Sequence, residues 1–209
     1  MFNLGRHIPQ LFGNYFVVDS QKKATYQFAH WLFGRALGLV SVIAFLSYWS
    51  QADALIGDDG IKPWKEDLQF IEELTAVQEN PAKKWSLRPT LLWIQPLANH
   101  HMLFALGTIS AVFLTMGVFP FASAIVSYVC YLSLMVVGEP FLSFQWDILL
   151  TETLLLSLFF LPIIRFHHFL KPLKVSNFGR LLLLGILAKL MLESGLVKFT
   201  YFAGDGSNT

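Results

Sequence analysis

Long apolar runs separated by short polar breaks dominate this chain. A helix needs about 20 apolar residues to cross a hydrocarbon core. By that measure the runs mark five spans: Phe28 to Tyr48, Met102 to Phe119, Phe121 to Val137, Ile148 to Ile164 and Leu181 to Phe199. The second and third are divided only around Pro120, which lacks a backbone N–H and breaks a helix, so a tight helical hairpin is expected there. A long polar loop, residues 51–97, separates the first span from the second. Within it, Lys65 to Val77 places apolar residues at helical spacing and predicts a surface helix. Residues 1–27 hold no apolar core of signal-peptide form, so no cleavage is expected, and His7 to Val18 suits a segment lying along the membrane interface. The expected fold is all-α: a polytopic membrane bundle of about five transmembrane helices over residues 28–201, with a tail at 202–209. No repeat, low-complexity tract or second domain is evident.

Composition agrees with that reading. The chain is 55% hydrophobic and 14% charged, with a mean hydropathy of +0.53. A soluble domain would carry about 25% charged residues. A net charge of +1 gives no electrostatic reason to expect nucleic acid as a partner. The single cysteine, Cys130, lies in an apolar run and has no partner for an internal disulfide. Trp49, Trp64, Trp85, Trp93 and Tyr201 stand near segment ends, where interfacial aromatics collect.

The positions of the cations predict orientation. Arg6, Lys22 and Lys23 precede the first span, and Arg165, Lys171, Lys174 and Arg180 lie between the fourth and fifth, so both regions are expected on the cytoplasmic side. The loop 51–97 carries eight acids against five bases and is expected on the opposite side.

Charges inside apolar sequence are costly and usually face a bundle interior, a cavity or a substrate path. Glu139, Asp147 and Glu152 are the only formal charges between Arg88 and Arg165. The topology sets them near one membrane face, with Lys198 and the pair His100 and His101 at similar depth, and so predicts one polar cluster. Asp147 stands where a cap for the fourth span would stand, whereas Glu152 is a turn deeper and needs a buried partner, for which Lys198 is the leading candidate. Lys198 can equally snorkel to the interface, and Glu139 suits a loop carboxylate near water. Arg35, about seven residues into the first span, calls for a buried partner of its own. Lys189 and Glu193 are four apart and can form an intrahelical ion pair. Adjacent histidines diverge by about 100° on a helix, and no Cys or carboxylate stands at ligand spacing to His100 and His101, so no metal site is expected. Gly34 and Gly38 permit close helix approach.

Soluble-enzyme signatures are missing: no Gly-x-Gly-x-x-Gly after a strand, no phosphate loop and no Gly-x-Ser-x-Gly elbow. No cofactor is expected, and the chain lacks the two similar halves of a transporter. Several separated blocks do carry a resemblance. They are Trp31 to Leu46, Leu55-Ile-Gly-Asp-Asp-Gly-Ile-Lys-Pro63, Pro89 to Trp93, Phe141-Leu-Ser-Phe-Gln-Trp-Asp-Ile-Leu-Leu-Thr-Glu-Thr153, Leu161-Pro162, and Glu193-Ser-Gly-Leu-Val-Lys198 with Gly204-Asp205. In order and spacing these resemble the lipase maturation factor family. The resemblance implies a multi-spanning membrane protein that aids folding or assembly of exported proteins such as dimeric lipases, without a reaction catalysed. It implies an endoplasmic reticulum membrane in a eukaryote and an inner membrane in a bacterium. Family members continue past the Gly-Asp into a large carboxy-terminal portion, so the chain ending at Thr209 is expected to be a fragment or a shortened relative. A more distant similarity, through Gly195-Leu-Val-Lys198, is to the membrane domain of vitamin K-dependent carboxylases. It implies the alternative of an intramembrane enzyme with Lys198 as base.

Overall fold

The structure, a computed structural model, describes residues 26–77, 82–94, 99–167 and 176–204. The expected interfacial segment His7 to Val18, the cations Arg6, Lys22, Lys23, Lys171 and Lys174, and the end of the tail lie outside the described residues. The helices are α1 (Gln27–Trp49), α2 (Ala52–Ile56), α3 (Trp64–Val77), α4 (Lys83–Leu87), α5 (His100–Met116), α6 (Pro120–Val137), α7 (Gln145–Ser157) and α8 (Asn177–Gly204), with a short 3₁₀ turn at Leu91–Trp93. Among the described residues there is no strand, only an isolated bridge between Val118 and Phe166.

By length and composition, α1 and α6 suffice to cross a membrane, and α5 is a shorter apolar helix of 17 residues. The expected surface helix is present as α3, seated on the bundle through Trp64, Leu68 and Thr75. Packing runs in sequence, α1 on α5, α5 on α6, α6 on α7 and α7 on α8, around a core that includes Phe45, Leu103, Phe104, Leu134 and Leu154. Gly38 lets α1 and α5 close: a Cβ there would lie 2.5 Å from the Thr115 backbone nitrogen. Between α5 and α6, the buried hydroxyls of Ser110 and Ser127 bond each other at 2.8 Å.

The α5–α6 hairpin turns as its proline demands. Gly117 ends α5 with φ +75°, in the left-handed region glycine tolerates best. Pro120 opens α6, where its missing N–H has no helical partner to lose. Two backbone bonds tie this turn to the segment after α7: Phe119 N–H donates to the Arg165 carbonyl and His167 N–H to the Gly117 carbonyl, each at 2.8 Å.

The fourth apolar run departs from expectation. It is helical only to Ser157, so α7 has 13 residues and a length of about 20 Å, short of the about 30 Å core a continuous span would cross. Pro162 disfavours helical geometry at Leu161, and the chain leaves α7 in a turn where Phe160 N–H and Leu161 N–H both donate to the Ser157 carbonyl at 2.9 and 2.7 Å. The bundle therefore has two dissimilar ends. A loop end gathers α2–α4 with the start of α5, the end of α6 and the start of α7, and a hairpin end gathers Gly117 to Pro120 with Phe160 to His167.

Candidate functional site

At the loop end, Asp147 sits in the first turn of α7 and is only 5% exposed. It does not cap the helix: the N-cap is Phe144, without a side-chain bond. Instead the Tyr131 hydroxyl donates to Asp147 Oδ1 at 2.6 Å from α6. Asp147 Oδ2 and the Tyr48 hydroxyl are both buried without a hydrogen-bond partner among the described residues. Tyr48 is held over Gly138, where any Cβ would collide with its hydroxyl. Asp147, Tyr131 and Tyr48 line a cavity of about 410 Å³ whose other walls include Ile43, Phe141 and Trp146. Phe144 and Trp146 stack at 4.8 Å and stand exposed beside it. A cavity lined mainly by apolar side chains, with Ser47 and Gln51 on its wall, suits a ligand with an apolar body and a few polar groups.

The other sequence candidates do not converge on Asp147 as one cluster. Glu139, in the α6–α7 connection, pairs with Arg88 at 3.3 Å, and Lys62 donates to its carbonyl at 2.8 Å. Arg88 and Lys62 also reach Asp67 on α3 at 3.0 and 3.3 Å, so these ions fasten the loop to the bundle. Glu152 meets Lys189 at 2.5 Å, and Lys189 lies 3.9 Å from Glu193 on its own helix. Lys198 is not the partner of Glu152. It is exposed on α8, nine residues beyond Lys189 and about 13 Å further along the helix. Because α7 stops early and α8 begins at Asn177, the two helices meet at Lys189.

Arg35 belongs to the hairpin end. Its guanidinium donates to the carbonyls of His167 at 2.5 Å and Trp31 at 3.3 Å and lies 4.4 Å from the Trp31 ring centroid. His167 is buried beside it, and its pKa is pushed down to about 4 by burial first, then by the neighbouring His30 and Arg35.

His100 and His101 open α5 and meet Asp53 of α2 at 3.1 and 3.2 Å. The expected divergence of adjacent histidines does not apply there. Side chains tilt toward a helix N-terminus, so those of the first turn project past its end and converge on a group beyond it. Sequence reasoning missed Tyr131, Tyr48 and Asp53. The one available signal was that a tyrosine inside an apolar run needs a partner for its hydroxyl.

Residues 28–203 match the lipase maturation factor transmembrane domain, which takes in every helix described above from α1 almost to the end of α8. The chain belongs to the lipase maturation factor family. It is 29% identical to lipase maturation factor 1 of Mus musculus over 170 residues, covering 78% of this chain and 29% of that protein. Against lipase maturation factor 1 of Bos taurus, identity is 34% over 137 residues, 62% of this chain and 24% of the relative. Against lipase maturation factor 2 of Homo sapiens it is 31% over 180 residues, 81% and 25% respectively. The chain thus spans 24% to 29% of these family members' lengths. No solved structure matches it. The Phe141 to Thr153 block that carried the family resemblance supplies Asp147 and one wall of the cavity.

Proposed function

We propose that this chain is the membrane domain of a maturation factor that helps exported proteins, lipases among them, to fold or assemble. The observation that carries the reading is the family match over residues 28–203. The loop end faces the non-cytoplasmic side, in keeping with eight acids against five bases in residues 51–97 and with Arg165 and Arg180 at or beyond the hairpin end. In a eukaryotic cell that places the loop end in the lumen of the endoplasmic reticulum.

In this reading the cavity beside Asp147 receives an apolar stretch of an incompletely folded client. The stacked Phe144 and Trp146 and the apolar walls take up its side chains. Ser47 and Gln51, exposed on the cavity wall, supply polar groups for the backbone groups that an unfolded segment still has unpaired. Such binding is reversible, since a chain that goes on to fold withdraws its apolar residues into its own core. The Glu139–Arg88 and Lys62–Asp67 pairs fasten the loop to the bundle beside it.

The test is co-expression with a secreted dimeric lipase in cells whose own maturation factor has been deleted. The expected result is a rise in the specific activity of secreted lipase at constant lipase synthesis. Specific activity equal to that of cells carrying an empty vector, with the chain present in the membrane, would overturn the proposal.

A further inference from the structure

We propose that Asp53, His100 and His101 form a binding site for a divalent transition-metal ion of the zinc type, at the loop end of the bundle. Two imidazoles and one carboxylate are a donor set suited to such ions. Their donor atoms all lie within 4.8 Å of one another. Asp53 Oδ1 stands 3.1 Å from His100 Nε2 and 3.2 Å from His101 Nε2. Bonds of about 2.0–2.1 Å in a tetrahedron require ligand atoms about 3.3 Å apart, so these two edges are close to the length a bound ion needs.

The framework around the donors is built. Asn99 caps α5, its side chain accepting from His101 N–H at 2.9 Å, which fixes the backbone that carries both histidines. Their rings lie 4.0 Å apart, and Trp64 packs against His100. The donors open onto a cavity of about 400 Å³ that Asp58 and Asp59 also line, leaving a fourth coordination position for water or one of these acids. A cation at the N-terminus of α5 meets the unfavourable end of the helix dipole. Three acids against Lys65, which pairs with Asp58 at 2.6 Å, offset that field.

One hydrogen bond distinguishes this site from a plain His–Asp contact. The Trp49 indole N–H can only donate, so His101 Nδ1, 3.0 Å away, accepts. The neutral ring then carries its proton on Nε2, which stands 3.2 Å from Asp53 Oδ1. An ion taking the Nε2 lone pair sends that proton to Nδ1, and the Trp49 bond is lost. Trp49 therefore competes with the metal, and its removal tightens binding.

The experiment is calorimetric titration of zinc chloride into the full chain, purified in detergent, freed of any affinity tag and stripped of metal. One equivalent is expected to bind to the unaltered protein. D53N and H101Q should each weaken binding at least tenfold, and W49F should tighten it about fivefold, the fold-change matching loss of one competing hydrogen bond. Asp53 is 74% exposed in its side chain, so D53N tests the site without disturbing the core. Equal zinc binding by the unaltered protein and a D53N/H101Q double variant overturns the proposal. Binding that W49F leaves unchanged or weakens overturns the assignment of His101 Nε2 as a ligand.

Discussion

Removing the Tyr131 hydroxyl would take from Asp147 the donor that meets its Oδ1 at 2.6 Å while leaving the carboxylate buried. Tyr131→Phe should lower stability by about 1–3 kcal/mol, the cost of an orphaned buried acceptor. Pairing it with Asp147→Leu should recover part of the loss, and thermal unfolding in detergent would measure both. His167 belongs to the same scale. Its folded pKa of about 4 lies below its ordinary value of 6.5, so between those pH values the unfolded chain binds more protons. Stability should fall as pH drops from 6.5 toward 4 and be insensitive to this group above 6.5. His167→Gln should flatten that slope in unfolding midpoints taken at pH 7.5 and pH 5. Charge in an apolar run was enough to single out Asp147 and Glu152, because such charges are rare. The identities of their partners depend on helix register, which no local pattern contains.

Between elements, the contacts of α7 with α8 and of α1 with α5 set the shape of the bundle. Exchanging the charges of Glu152 and Lys189 tests the first. Glu152→Lys or Lys189→Glu alone places like charges at a 2.5 Å contact and should lower the unfolding midpoint, and the double exchange should restore it. Lys198→Met should leave the midpoint unchanged. Gly38 tests the second contact: an alanine Cβ would meet backbone atoms of Thr115, and backbone cannot yield as a flexible side chain can. Gly38→Ala should cost about 1–3 kcal/mol through forced separation of the helices. Helix existence was largely legible in the sequence. α1, α3, α5 and α6 fall within a few residues of the apolar runs that predict them. The short α7 was not, because hydropathy continues unbroken to Ile164 while the backbone obeys Pro162.

For the whole molecule, the question is which side of the membrane the loop end faces. Cysteines introduced at Glu66 on α3 and at the exposed Phe166 of the hairpin end, with the buried Cys130 replaced by alanine, should label from opposite sides with a membrane-impermeant reagent. The direct test of the central claim is photocrosslinking to a pulse-labelled dimeric lipase in intact membranes, from a photoreactive residue at Trp146 beside the cavity and from another at Met191 on α8. A maturation factor that holds unfolded segments in this cavity predicts an adduct from Trp146 that is strong immediately after the pulse and fades as the lipase becomes active, with little from Met191. An adduct of equal yield from both positions, or none from Trp146 at any time, would contradict it.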